Sequence, residues 1–420
     1  MISYALKNIV IFAILAILSL ATIAKIPNPL SLEQALKIGK NQSLEVQKQR
    51  LTVRANLLDL ENAKSNFDIK YRLDLQLAQR DNYSNNIDNS HAFIHLEKTL
   101  FKQNSTLDIN TAQQTIHRAN QTLAYLQKEK DIEIMRRFFA VILADMRLET
   151  ILEALAISAI RAGNVQDDFD IHKASEVTLL EKQAITQLDV SKRIKAEAQQ
   201  ILKRAKLADI LAIEYENRPD DLVTPKLKDY FSKPIAVFDV LRKNAFKNNA
   251  SLQIMRQNLS SIKHQINSHK NDYGIVIKAN ARIGEQAYLR DKNGKLRFGI
   301  NLTMPLGTDN NKQQSIAKLS IQAQQIKLDI QQFKQKLSSQ VLTLWITLNE
   351  LKQVQKALIT ELDYRDLYLE RASAYYEMEL ESDIGNALTQ FTNTEYKLAK
   401  NQFDFVILFE ELTLLTGEIQ

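Results

Sequence analysis

Reactive side chains come first, and this sequence arranges few of them for catalysis. Its six histidines are His91, His95, His117, His172, His264 and His269. His91 and His95 lie four apart in a stretch with strand periodicity and share a face. His264 and His269 lie five apart in a helical stretch. Neither pair has a carboxylate at a convincing metal-ligand spacing, so surface histidines are the reading. There is no cysteine. That removes disulfides, thiol nucleophiles, Cys-based metal sites and a lipid anchor on an N-terminal cysteine. No phosphate-binding loop, nucleotide fingerprint or nucleophile elbow occurs. Acidic residues number 49, so a carboxylate pair can be drawn almost anywhere and none stands out. The expectation is a protein without enzymatic activity and without a cofactor.

The charges that do form a pattern lie on strands. From Ile69 to Gln79 apolar and polar residues alternate, with Ile69, Tyr71, Leu73, Leu75 and Leu77 on one face and Lys70, Arg72, Asp74 and Gln76 on the other. A second strand carries Ala92, Ile94, Leu96 and Leu100 on its apolar face, with Phe93 and Lys98 breaking the alternation. Arg80 to Ser90 reads as a polar loop. A third strand sets Ile275, Ile277, Ala279, Ala281 and Ile283 against Lys278, Asn280 and Arg282. After a polar loop with Asp291, Asn293 and Gly294 comes a fourth, with Leu296, Phe298, Ile300, Leu302 and Met304 against Arg297, Gly299, Asn301 and Thr303.

The elements that hold these strands are long helices. The run from Asn104 to about Ala162 has neither proline nor glycine. Its apolar residues recur at three- and four-residue steps (Ala112, Ile116, Ala119, Leu123, Leu126, then Leu148, Leu152, Leu155, Ala159, Ala162). Such a helix is roughly 90 Å long, too long for an ordinary globular core; a plain coiled-coil rod fits it as well. Gly163 is expected to loosen it before a turn near Phe169 to Glu176. A return helix follows to about Ala212, with seam positions Ile194, Ala198, Ile201, Ala205 and Ala208. A second long helix spans about Lys312 to Glu379. After a turn near Glu379 to Gly385, a last helix runs with Phe391, Thr394, Leu398, Asn401, Phe405, Leu408, Leu412 and Leu415 in its seam.

Composition agrees. The 420 residues include only 9 Gly and 6 Pro, few for a chain built of loops and compact α/β units. The net charge of +6 is dispersed along helices, so nucleic acid is not an expected partner. Residues 1–24 read as a signal peptide, with Lys7 its only charge, an apolar run from Ile9 to Ala21, and small residues before a cut after Ala24. An uncleaved anchor is the alternative. No later segment approaches about 18 unbroken apolar residues.

The organisation expected is therefore a signal peptide (1–24), a first structural repeat (25–212), a linker or equatorial segment (213–236) holding Pro219, Pro225 and Pro234, and a second repeat (237–420). In the first repeat Ser31 opens a short helix as N-cap, with Gln34 completing a capping box; that helix ends near Gly39. Lys247-Asn248-Asn249-Ala250-Ser251-Leu252 echoes Gly39-Lys40-Asn41-Gln42-Ser43-Leu44. Leu100 and Leu306 close equivalent strands at an offset of 206.

Ten residues is the length of a tilted bilayer-crossing strand. Lipid tolerates only closed barrels, and single-chain barrels start at eight strands. Four strands would need to share a barrel with other chains, with Lys70, Arg72, Asp74, Lys278, Asn280 and Arg282 lining water. A small soluble β-domain is the alternative.

The stretch LSLEQALKIGKNQSLEVQKQ, its second-half echo, the strand-closing Thr99–Phe101 and Met304–Gly307, and the turn YYEMELESDIGNAL (Tyr375–Leu388) resemble the outer-membrane efflux protein family, the TolC-like channel-tunnels. The order of elements matches across nearly the whole mature chain. The resemblance implies a mainly α protein with membrane β-structure: long helical hairpins plus four transmembrane strands per chain, twelve in a homotrimeric barrel. It implies an outer-membrane channel-tunnel extending into the periplasm of a Gram-negative bacterium. This would be a passive conduit of a tripartite efflux or type I secretion system. Its partners would be a periplasmic adaptor (membrane fusion) protein, an inner-membrane pump or ABC transporter, and outer-membrane lipid. A periplasmic coiled-coil adaptor or scaffold is the alternative. The resemblance also places a gate at the periplasmic tip, for which Glu379, Glu381, Asp383, Tyr376, Asp168 and Glu176 are candidates. The adaptor-docking turns would comprise His172, Lys173, Ala174, Ser175, Leu380 and Ser382. Where family members carry a glycine in each tip turn, this chain has His172 and Glu379. The aspartate ring that some members carry in the second repeat is not preserved.

Overall fold

The computed structural model describes residues 27–82, 85–88, 90–103, 105–214, 216, 218–271, 273–287, 296–305, 310–378 and 383–417. The expected leader lies outside them. In chain order the elements are α1 (Leu32–Gln42), α2 (Leu44–Ser65), β1 (Ile69–Gln76), β2 (Gln79–Asn82), β3 (Asn85–Asp88), β4 (His91–Lys102), α3 (Ser105–Asp170), α4 (Glu176–Ile210), α5 (Lys228–Ser232), α6 (Phe238–Asn248), α7 (Ala250–Asn271), β5 (Val276–Gln286), β6 (Leu296–Thr303), α8 (Asn310–Glu377) and α9 (Ile384–Thr416). Among the described residues no helix is long and apolar enough to cross a membrane.

Element lengths recur. α1 and α6 both have 11 residues, and α2 and α7 both have 22. One residue separates the members of each pair, Ser43 in the first and Asn249 in the second. Those two separators are offset like Leu100 and Leu306, whereas the sequence echo aligns Ser43 with Ser251. By position between helices of equal length it is Asn249 that corresponds to Ser43, and its side chain accepts from Leu252 N at 3.1 Å as an N-cap does.

The chain forms two compact units: Met1–Ser43 with Asp131–Ser232 and Gln353–Val406, and Leu44–Lys130 with Lys233–Lys352 and Ile407–Gln420. α3, α8 and α9 contribute to both.

In the first unit the core is aromatic. Phe139 of α3 stacks on Phe403 of α9 with centroids 4.3 Å apart, and Phe231 stacks on Phe405 at the same separation. Ile134, Phe138, Leu207 and Leu211 are fully buried around them. Ser31 and Gln34 form the expected capping box. Gly39 does not end α1; it is buried inside the helix, where a Cβ would stand 2.2 Å from Ile134 Cδ1. The glycine serves close packing there. The segment expected to be a linker is tied down at Asp221–Val223. Leu30 forms a parallel bridge with Leu222, and Arg204 grips the Asp145 carboxylate at 2.7 and 2.9 Å while donating to the Asp220 carbonyl.

α3 runs unbroken through Gly163, which meets nothing within 4 Å. Its most enclosed stretch is Ile132–Ile142 rather than the expected seam, and Leu152 is exposed. Likewise Ile194, Ala198 and Ile201 of α4 lie on an open face, whereas Ala208 of the expected seam is buried, together with Ala196 and Leu207. Spacing identified the stripe but not which side of it packs within the chain.

In the second unit Val46, Leu252, Leu337, Val341 and Leu348 are fully buried. Trp345 Nε1 donates to the Ala236 carbonyl at 3.2 Å, and Asn249 Nδ2 to that of Leu415 at 3.1 Å. This unit carries an antiparallel sheet in the order β1-β4-β5-β6, leaving β1 and β6 as its edges. The expected polar loop at Arg80 to Ser90 is instead largely a separate two-stranded ribbon of β2 and β3. Its Asn- and Asp-rich composition reads as a loop, yet its backbone pairs as an antiparallel ladder.

Candidate functional site

The sheet separates its side chains by the two-residue period. On one face Ile69, Tyr71, Leu73, Leu75, Ile94, Leu296, Phe298, Ile300 and Leu302 are exposed, Tyr71 at 82% and Phe298 at 80%. Burial of an apolar face normally drives sheet formation, so a contiguous bare one marks an interaction surface. Lys98 and Glu285 stand on this same face toward opposite ends of β4 and β5.

The other face is polar, and the register assembles it. Lys70 stands opposite Glu97, Arg72 opposite His95 and Asp74 opposite Phe93. Across β4 and β5, His95 faces Arg282 and Glu97 faces Asn280. Lys278 reaches the Glu97 carboxylate at 3.0 Å. All six residues read from sequence as candidate water-lining positions, Lys70, Arg72, Asp74, Lys278, Asn280 and Arg282, therefore share one face. Arg297 joins them, directly opposite Arg282.

Phe93 breaks the sequence alternation because it belongs to this polar face, where it is 8% exposed. Opposite it lies Gly284, with φ +152°, where a Cβ would sit 1.9 Å from the Ala92 carbonyl oxygen. The bare glycine leaves room for the ring. His91 and His95 flank Phe93 at centroid distances of 5.0 and 6.0 Å, and the Arg282 guanidinium lies 4.3 Å above it. The two histidines do have a carboxylate beside them. Asp74, from the neighbouring strand, places Oδ1 3.8 Å from His91 Nε2 and Oδ2 3.7 Å from His95 Nε2. Cross-strand pairing, which linear spacing does not reveal, makes that contact. Among the described residues no group of three ligating side chains fits a metal.

The described turn residues belong to the first unit. At the end of α3, His172 takes φ +61°, the left-handed conformation a glycine adopts without cost. The Asp168 carbonyl accepts from Lys173 N at 2.7 Å and Ala174 N at 3.2 Å. Ser175 caps α4 by accepting from Thr178 N at 3.1 Å, and Glu176 lies in that helix's first turn. Ahead of the second turn Tyr376, at the end of α8, is exposed. Asp383 accepts from Asn386 N and pairs with Arg161, so its charge is already met. Glu379, Leu380, Glu381 and Ser382 lie outside the described residues.

Between α9 and α3, Thr392 donates to Glu153 at 2.8 Å. Burial, and then the nearby Glu149, Glu153 and Asp366, push the Glu395 carboxyl above its ordinary value.

No protein-family model matches the sequence, and no curated protein sequence does. Solved structures do match. The outer membrane protein VceC from Vibrio cholerae aligns over 92% of this chain and 96% of its own, with TM-score 0.71 at 12% identity. The Campylobacter jejuni CmeC outer membrane channel covers 92% of this chain and 85% of its own, with TM-score 0.75 at 10% identity. The open state of the Neisseria gonorrhoeae MtrE outer membrane channel covers 92% and 88%, with TM-score 0.70 at 12% identity. The chain has the TolC-like fold, long helices carrying a small antiparallel β-domain.

Proposed function

We propose that this chain is one protomer of a homotrimeric outer-membrane channel-tunnel, a passive export conduit without catalysis. The observation that carries the reading is the sheet: four strands, two open edges, an exposed apolar face and a charged opposite face. A soluble β-domain would bury that apolar face. Lipid would cover it, with the charged face turned to water and the edges closed by neighbouring chains. The exposed stripe on α4, including Val177, Leu188 and Ile194, supports further chain-to-chain packing.

On this reading residues 1–24 direct export and are removed, 25–212 and 237–420 are two structural repeats, and 213–236 joins them at the equator. The turns at His172–Glu176 and Tyr376–Asp383 serve as gate and adaptor-docking surface. The partners are a periplasmic adaptor and an inner-membrane pump or ABC transporter, in an efflux or type I secretion assembly of a Gram-negative cell. The ion pair of Asp383 with Arg161 makes Asp383 a weaker candidate for an acidic ring at the tip.

The test places a cation on the apolar face. Tyr71→Lys or Ile300→Lys costs about 2–4 kcal/mol near mid-bilayer, so the heat-modifiable trimer in outer-membrane fractions should fall sharply. Arg72→Leu should leave it largely intact. The opposite pattern would mean that the charged face meets the lipid. Normal trimer in all three variants would remove the sheet from the membrane altogether.

A further inference from the structure

The polar face of the sheet is unequally charged. Among the described residues, Lys70, Arg72, Lys278, Arg282 and Arg297 share it with only two carboxylates on the four strands, Asp74 and Glu97. Glu97 is engaged by Lys278, and Asp74 lies between two histidines. Among the described residues no carboxylate pairs with Arg282 or Arg297. These two stand directly opposite each other across β5 and β6, an arrangement of like charges that ordinarily destabilises a sheet. Arg282 is seated on the Phe93 ring at 4.3 Å, a contact that holds a guanidinium without neutralising it. Gly284 makes that seat available, because any Cβ there would strike Ala92 and Phe93. The local structure thus maintains positive charge where an acid on either strand would have been the simpler way to stabilise the pair.

We propose that this face is an anion-selecting stretch of channel wall, centred on Arg282 and Arg297, which favours solutes carrying carboxylate or phosphate groups. The inference rests on the reading of the sheet as one third of a barrel with its polar face inward. Three copies place six of these arginines around one lumen. Low-dielectric walls focus such a field, and rings of Arg or Lys are what an anion-conducting pore requires. An acidic ring at the turns would act in series with it, so the experiment must separate the two.

The full-length trimer is reconstituted in planar bilayers under a KCl gradient, and the sign of the reversal potential reports selectivity. The wild-type channel should prefer chloride. Arg282→Gln combined with Arg297→Gln should abolish that preference, and Arg297→Glu alone should shift the potential toward cation preference. Arg282→Lys with Arg297→Lys should preserve it. Heat-modifiable migration of each variant confirms that it assembles. Inorganic phosphate added on the barrel side should reduce chloride current in the wild type and not in the double Gln variant. A conducting but cation-preferring wild type overturns the inference alone. So does selectivity that ignores the arginine variants and responds only to Glu379→Gln with Glu381→Gln. An assembled trimer with no conductance overturns the channel reading, and this inference with it.

Discussion

Glu395 shows how much a single carboxyl can report. Its pKa is raised by burial first and by Glu149, Glu153 and Asp366 after that. The folded chain then holds that proton at pH values where the unfolded chain has released it. Between the ordinary value of 4.5 and the raised one, stability must therefore fall as pH rises. Glu395→Gln, which removes the charge and keeps the shape, should raise the thermal midpoint at neutral pH, and the gain should vanish on acidification below the ordinary value. Midpoints of both proteins across pH test this; a gain that persists in acid would make the effect steric. Residues of this kind were the least legible in the sequence. Spacing along one strand showed His91 and His95 on a common face but could not show Asp74 arriving from the next. The Asp383 carboxylate looked available for a gate until Arg161, far away in the chain, met it. Phe93 looked like an irregularity and is the centre of the charged face.

At the scale of elements, Gly284 decides whether β4 and β5 can pair. Its φ of +152° suits glycine, and Ala92 and Phe93 occupy the space a side chain would need. Gly284→Ala should cost about 1–3 kcal/mol in backbone strain, with the steric clash added. On the proposed channel reading it should therefore deplete the assembled protein in outer-membrane fractions even though the substitution is small and apolar. Gly299→Ala is the control, since its nearest neighbour would be 3.6 Å away; equal loss in both would mean that glycine content alone matters. The elements themselves were readable because their periods differ. Alternation identified the four strands of the main sheet, and three- and four-residue steps identified the long helices. What failed was punctuation. Gly39 and Gly163 read as helix breakers, but one is packed against Ile134 and the other sits on an open helix surface. Arg80 to Ser90 read as a loop because Asn and Asp usually mark one, yet an antiparallel ribbon needs little from its side chains.

For the whole molecule, the decisive feature is the order β1-β4-β5-β6. A single chain cannot close that sheet, and its edges are strands of eight residues with unpaired backbone groups. The four strands of this sheet were legible in the sequence, whereas β2 and β3 were not, and the proposal that other chains close it comes from the physics of strand edges in lipid. The exposed face of α4 was not legible, because an apolar stripe has the same periodicity whether or not it packs within its own chain. In a closed trimer β6 of each chain would lie beside β1 of the next. Within one chain those strands are three inter-strand steps apart, about 14 Å, beyond the reach of a disulfide, whose Cα atoms lie within about 7 Å. The native chain has no cysteine, so the geometry can be read without interference. Ile300→Cys is paired in turn with Tyr71→Cys, Leu73→Cys and Leu75→Cys, which step along the same apolar face. At least one pairing should form a disulfide between chains under mild oxidation, giving a ladder that ends at three subunits. Each single variant should give none. A pairing that cross-links only within one chain would mean that the sheet curls on itself. A ladder running past three would mean an open filament rather than a closed barrel. Failure of every pairing in protein that still reaches the outer membrane would mean that β1 and β6 are closed by something other than a second copy.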